Sequence, residues 1–140
     1  MNNLAIINEL IQLFEQIQIK VQDQIMPLIS QIEPLTPLQV KALMFLYNLE
    51  SIKMTDFAKA MNLKTSGATQ LVNNLVELGK VQRDFDPKDR RVIVIELTSS
   101  SRQSMMKIIK KRDETLTKIY EKLNQKELES LLNITQKISL

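Results

Sequence analysis

Residues 65–97 read TSGATQLVNNLVELGKVQRDFDPKDRRVIVIEL, and a change of period inside this stretch decides the fold. In its first half Ala68, Leu71, Val72, Leu75, Val76 and Leu78 recur at helical spacing, while Ser66, Thr69, Gln70, Asn73 and Glu77 fall on the other side. The spacing predicts an amphipathic helix from about Thr65 to Leu78, closed by Gly79 as its C′ residue, with Val81 available for apolar packing beyond it. The second half changes character. Val81-Gln82-Arg83-Asp84-Phe85, then Asp86-Pro87-Lys88-Asp89, then Arg90-Arg91 and the β-branched run Val92-Ile93-Val94-Ile95 predict strand, turn, strand. Asp at the first turn position and Pro at the second favour a type I turn. Another helix is disfavoured, because Pro87 would break it and four successive β-branched residues prefer an extended backbone.

Outward from this stretch the pattern is helical. Thr55 can cap a short helix carrying Phe57, Ala58 and Met61, and Asn62 stands where a tight inter-helix turn needs a residue that tolerates positive φ. Residues 51–54 read as a connector. Before them, Thr36 can cap a helix with Pro37 at its first position and Gln39 completing a capping box, while Leu35 and Val40 can form the hydrophobic staple. From Leu4 to Leu28, Ile7, Leu10, Phe14, Ile17, Val21, Ile25 and Leu28 follow spacings of three and four, the seam of a long amphipathic helix that Pro27 and Pro34 are expected to limit. So long a seam suits either a core or a second subunit. On the C-terminal side, Thr98 to Ser101 offer several caps, including a Ser100 to Gln103 box, for a long helix carrying Met105, Ile108, Ile109, Leu116, Ile119, Tyr120 and Leu123. Asn124-Gln125 marks a break before a last helix with Leu128, Leu131, Leu132 and Ile138. The expected architecture is mainly α with a small antiparallel β-hairpin in one domain over residues 1–140, the terminal helices packed together.

Composition narrows the chemistry. The chain of 140 residues has no Cys and no His, which removes thiol nucleophiles, imidazole bases, thiol redox sensing and ordinary zinc sites together. No catalytic residue, metal ligand or cofactor is expected, since the remaining carboxylates and hydroxyls form no pair of recognisable spacing. No Lys or Arg precedes Lys20, and polar residues interrupt the apolar ones, so neither a signal peptide nor a membrane span is expected and a cytoplasmic protein follows. Asn133-Ile134-Thr135 is then an accidental glycosylation pattern. Residues 1–79 hold five Lys and seven acids, whereas residues 80–140 hold fourteen Lys or Arg and nine acids, so the excess cations, which attract polyanions, lie in the second half.

Two short helices joined by a tight turn and followed by a hairpin make a helix-turn-helix with a wing. The second helix must bury one face to be held rigidly while the other offers donors and acceptors to base edges. Gln70, Asn73 and Asn74 carry amides that can pair with adenine, and Lys64, Thr65, Ser66 and Thr69 can reach phosphates or bases. On the hairpin, Arg83, Lys88, Arg90 and Arg91 form a basic cluster, one guanidinium of which could enter a narrow minor groove, with Asp89 orienting one of the arginines. Plainer readings are a solvated helix face and an edge hairpin protected by charge. Solvation is the reading for Arg102, Lys107, Lys110, Lys111 and Arg112 on the long helix. The partner expected is double-stranded DNA; the rival is a module whose same helix face docks on another protein.

Asp86-Pro87-Lys88-Asp89-Arg90-Arg91 followed by Leu97-Thr98 resembles the wing signature of the MarR family of winged-helix regulators. Leu71-Val72-Asn73-Asn74-Leu75-Val76-Glu77-Leu78-Gly79 resembles the end of its recognition helix, and Leu35-Thr36-Pro37-Leu38-Gln39 the start of its second helix. The resemblance covers nearly the whole chain. It implies a homodimer built by helices in residues 1–35 and 98–140, a winged helix-turn-helix over residues 36–97, a pseudo-palindromic operator bound by a repressor, and often a small-molecule effector. It further implies that Arg90 enters the minor groove with Arg91 or Asp89 in support. Three positions depart from the family pattern: Gln70 stands where Arg is common, Lys80 where an apolar residue follows the glycine, and Ser101 where Gly follows the Leu-Thr pair.

Overall fold

The computed structural model describes residues 2–31 and 34–139. The elements in chain order are α1 (Asn3–Ser30), α2 (Pro37–Tyr47), β1 (Ile52–Lys53), α3 (Met54–Ala60), α4 (Thr65–Glu77), β2 (Val81–Asp86), β3 (Asp89–Leu97), α5 (Ser99–Tyr120) and α6 (Gln125–Ser139). By backbone contacts the chain divides into two compact units, Met1–Pro27 with Ile109–Leu140, and Leu28–Ile108. Both divisions fall inside helices.

In the unit Leu28–Ile108, local chemistry sets most element ends. Thr36 caps α2 by accepting from the Gln39 N–H at 3.2 Å, and the Gln39 side chain accepts from the Thr36 N–H at 2.9 Å, the reciprocal box read from the sequence. Asn62 has φ 54° after the α3 C-cap, and Gly79 has φ 69° after that of α4. At each end two backbone N–H groups turn back onto the last helical carbonyls: Asn62 to Lys59 and Leu63 to Ala58, Gly79 to Val76 and Lys80 to Leu75. The apolar contact that usually joins Leu75 to the residue after the glycine is unavailable to Lys80. Val81, one residue on and 2% exposed, lies in the core instead.

Three expectations need correction. Thr55 does not cap α3; that helix begins at Met54, and its N-cap Lys53 offers no side-chain bond. The reason is β1: residues 51–54 are no free connector, because Ile52 and Lys53 pair antiparallel with Ile95 and Val94 and lead directly into the helix. The wing is thus part of a three-stranded sheet of order β1-β3-β2. Nor does Pro27 end α1, which runs through it to Ser30. A proline so near the C-terminal end removes one helical hydrogen bond while its ring holds a helical φ, and Ile29 beyond it is buried.

Ala42, Leu43 and Leu46 of α2, Phe57 and Ala58 of α3, Ala68, Leu71, Val72 and Leu75 of α4, and Val81, Ile95 and Leu97 of the sheet form the buried core of this unit, with Met105 and Ile108 of α5. Arg102 corrects a further expectation. Its guanidinium is not merely solvated: it donates to the Tyr47 and Leu49 carbonyls at 2.9 Å each and lies 5.6 Å from the Tyr47 ring centroid. It thereby satisfies carbonyl groups that α2 leaves open at its C-terminal end. Thr98, rather than Ser100, holds the start of α5, donating to the Gly79 carbonyl at 2.8 Å and accepting from the Ser101 N–H at 3.3 Å.

Ser101, 2% exposed, has an Oγ with no hydrogen-bond partner among the described residues. A buried unsatisfied hydroxyl costs about 1–3 kcal/mol, and alanine is also the better helix former. Ser101→Ala is therefore expected to stabilise the protein by about 1 kcal/mol, a rise in melting temperature of about 4 °C by circular dichroism. An unchanged or lower melting temperature would mean that the hydroxyl is satisfied in solution.

The unit Met1–Pro27 with Ile109–Leu140 has little core of its own. Ile7, Leu10, Ile11 and Phe14 of α1 are each about half exposed, and Leu4 more so. No described residue of α6 is buried, and its apolar Leu132, Ile134 and Ile138 face solvent. Asn124 and Glu127 form a capping box that starts α6, at 3.1 and 2.8 Å, so the expected break is a helix start with its own chemistry.

Candidate nucleic-acid interface

The pairing of α3 with α4 through the Asn62 turn presents α4 with one face buried and the other open. Ala68, Leu71, Val72 and Leu75 anchor it, while Lys64, Thr65, Ser66, Thr69, Gln70, Asn73 and Asn74 are all exposed. Thr69 donates its hydroxyl proton to the Thr65 carbonyl at 2.8 Å, leaving its lone pairs available as acceptors. The side-chain amides of Gln70, Asn73 and Asn74 have no hydrogen-bond partner among the described residues. Because Lys64 provides no side-chain cap, the first-turn N–H groups of α4 are also open to an acceptor such as a phosphate oxygen.

The hairpin carries the second set of candidates. The Asp86 carboxylate accepts the Lys88 N–H at 2.8 Å, closing the turn through Pro87. Register then slips: Phe85 lies opposite Ile93 but Asp86 opposite Asp89, so Arg90, Arg91 and Val92 have no cross-strand partners. This irregularity lifts both arginines out of the ladder. Asp89 accepts from the Arg91 backbone N–H at 3.0 Å, from Arg91 Nε at 3.2 Å and from Arg91 Nη2 at 3.4 Å. The Arg91 guanidinium and then its backbone N–H hold the Asp89 carboxyl below its ordinary pKa, with Lys53 adding charge attraction, so it stays ionised at neutral pH. The exposed Arg90 guanidinium has no ion pair or hydrogen bond among the described residues, and Arg90 borders a hollow lined by Asp84, Phe85, Asp86 and Pro87. Asp89 thus orients Arg91 and leaves Arg90 free. Arg83, exposed, lies opposite Ile95, further down the hairpin.

One charged residue of this region escaped the sequence reading. Lys53 joins the wing sheet because β1 pairs with β3, and its charge acts on Asp89. The only local signal is the Ile52-Lys53 alternation, too short to mark a strand, and its partners lie some forty residues on.

A buried-backed helix carrying free amides, held by a tight helix-helix turn and followed by a hairpin with an arginine-bearing tip, defines a winged helix-turn-helix protein. The MarR family profile matches residues 35–93, from just before α2 into β3, so this segment is a MarR-family winged helix. Among relatives, it is 31% identical over 94 residues to an uncharacterized HTH-type transcriptional regulator of Bacillus subtilis, YsmB, covering 67% of this chain and 64% of YsmB. The chain therefore spans less than two thirds of that relative's length. It is 27% identical over 138 residues to the HTH-type transcriptional repressor MdtR of the same organism, covering 91% of this chain and 86% of MdtR. A crystal structure of a mutant Escherichia coli MarR complexed with operator DNA shares the fold at TM-score 0.64 and 19% identity, covering 99% of both chains. A second profile, of the PD-(D/E)XK nuclease superfamily, matches residues 79–139. That stretch contains no Pro-Asp dipeptide. Among the described residues no group of three or more acidic side chains is placed to hold a metal ion.

Proposed function

We propose that this chain is a sequence-specific double-stranded DNA-binding transcriptional regulator that acts as a homodimer, and as a repressor, on a pseudo-palindromic operator in the cytoplasm. The observation that carries this reading is the exposed polar face of α4, whose Gln70, Asn73 and Asn74 amides have no partner among the described residues, on the same compact unit as the unpaired Arg90 guanidinium. In this reading Gln70, Asn73 and Asn74 read base edges in the major groove, while Lys64, Thr65, Ser66 and Thr69 set the helix against phosphates and bases. Arg90 enters the minor groove, Asp89 and Arg91 support it, and Arg83 and Lys88 neutralise backbone charge. MdtR is named a repressor, and the E. coli relative is held on operator DNA, which supports the same role here. Among the described residues no helix is long and apolar enough to cross a membrane.

The dimer rests on the apolar surfaces that α1 and α6 leave open. An exposed row from Leu4 to Phe14 and an α6 with no buried residue are costly in water, and a second copy supplies the cover. Residues 1–35 and 98–140 would build that interface and residues 36–97 the reading head. Ligand control finds support in a hollow of about 310 Å³ lined by Leu28, Gln31, Lys80, Ser104, Lys107 and Ile108. It offers two ammonium groups, an amide and a hydroxyl over an apolar floor, beside the residue that follows the α4 cap. A small organic anion fits that chemistry as effector.

The test is selection from random duplexes, which should return an inverted repeat with half-sites about one helical turn, ~34 Å, apart. No enriched repeat, with salt-insensitive indifference to duplex, would favour the protein-docking module instead. Gln70→Ala is expected to relax discrimination at one base pair by about 1–3 kcal/mol, read as binding to operators varied at that pair. Uniform weakening across all variants would remove Gln70 from base readout.

A further inference from the structure

The wing carries an apolar pair that neither the core nor the basic cluster accounts for. Phe85 is 60% exposed and Ile93 41% exposed, and the two are register partners at the outer end of the hairpin. Pleat alternation fixes their side of the sheet. Val81 opposite Leu97, Arg83 opposite Ile95 and Phe85 opposite Ile93 share one face, the face that buries Val81, Ile95 and Leu97 against the helices. Where the hairpin leaves the body, no described residue of the chain covers this face enough to bury Phe85 or Ile93. Gln82 and Glu96, hydrogen-bonded at 2.7 Å, lie on the opposite face.

We propose that Phe85, backed by Ile93, is a DNA-contacting residue that lodges against the apolar deoxyribose walls of the minor groove beside Arg90. The inference rests on the DNA-binding reading above and extends it to a contact that carries no charge. Three observations single out DNA as the occupant. Phe85 borders the same hollow as the unpaired Arg90. With Arg90, the cations Lys53, Arg83, Lys88 and Arg91 outnumber Asp84, Asp86 and Asp89 on the wing, an excess that favours a polyanion over an apolar protein surface. The aromatic also looks out from the face turned toward the helices, of which α4 is one that packs on β2. Apolar side chains on minor-groove binders do related work elsewhere, wedging at base steps beside cationic side chains. The hydrogen bonds that the Arg91 backbone N–H and guanidinium donate to Asp89 hold the tip in shape, so the ring is presented by a set backbone.

The experiment uses the full chain and a duplex selected from a random library by the wild-type protein, with a scrambled duplex as control. Phe85→Ala is expected to weaken binding to the selected duplex about tenfold while leaving the dependence on salt unchanged, because no phosphate contact is lost. Phe85→Leu should recover most of the affinity. The melting temperature should stay at the wild-type value, since the ring is largely exposed. With p-benzoylphenylalanine at position 85, irradiation of the complex should crosslink the protein to DNA at the outer flank of each half-site. If wild type binds the duplex and Phe85→Ala binds it equally well without crosslinking to DNA, the inference is overturned and the DNA reading stands. If wild type binds no duplex, both fall. Crosslinking to a second protein chain in place of DNA would reassign the patch to protein contact and also overturn the proposal.

Discussion

Arg90→Ala is expected to weaken operator binding about 10- to 100-fold while leaving the fold unchanged. The guanidinium has no partner within the described residues, so its removal orphans no buried group and costs no stability. In the function proposed above, what is lost is a cation inserted where the negative potential of a narrow minor groove is concentrated. Hydrogen bonds to charged groups contribute about 1.5–3 kcal/mol, and every 1.4 kcal/mol is a factor of ten in affinity. One fewer cation on the DNA should also reduce the slope of log affinity against log salt by about one unit. Fluorescence anisotropy across a salt series reads both quantities. Arg91→Ala is the informative control, because Asp89 already holds that guanidinium in a highly exposed ion pair, 91% and 41% exposed on the two sides. A larger loss for Arg91→Ala than for Arg90→Ala would reverse their roles and make the Asp89 pair the device that aims the inserted arginine.

Phe57→Ala is expected to be the most damaging single substitution in the unit Leu28–Ile108. Phe57 is fully buried in α3, and its ring centroid lies 6.2 Å from that of Phe45 in α2. Truncating a buried phenylalanine costs about 3–5 kcal/mol, lost transfer energy together with the cavity left behind. Against a domain stability of about 5–15 kcal/mol that is a large fraction. At fixed protein concentration, urea unfolding should show the midpoint falling by roughly 1–3 M. The functional consequence follows from α3 being the support of α4, which reaches it through the Asn62 turn. DNA binding should therefore decline in step with the folded fraction. A loss under about 1 kcal/mol would mean that α3 is not anchored through this ring.

These two substitutions mark different depths of legibility. Arg90 was visible because a basic, proline-containing turn beside a β-branched run is a local pattern. What the pattern left open was which arginine is free, and that depended on Asp89 bonding Arg91 through both backbone and side chain. The free face of α4 was readable from helical period alone. Lys53 was not, because its membership of the wing comes from a two-residue strand paired across the fold. Arg102 was misread as solvated for the same reason: the Tyr47 and Leu49 carbonyls it binds lie more than fifty residues away. Pro27 misled in the other direction, since a rule for helix interiors was applied to a residue in the last turn.

By itself the sequence determined the elements whose causes act within about four residues: the Thr36–Gln39 box, the positive-φ turns at Asn62 and Gly79, the Asp86-Pro87 turn and the two-faced α4. Each is a short-range balance of backbone dihedral and side-chain bonding, so it is written where it acts. Tertiary structure alone decided the third strand, the Arg102 clamp, the bond from Thr98 to the Gly79 carbonyl and the unpartnered Ser101 hydroxyl. Those depend on chain segments brought together by burial of Phe57, Leu43, Leu75 and Ile95, and hydrophobic burial is non-directional: it dictates that these side chains meet, while packing dictates which polar groups then lie within reach.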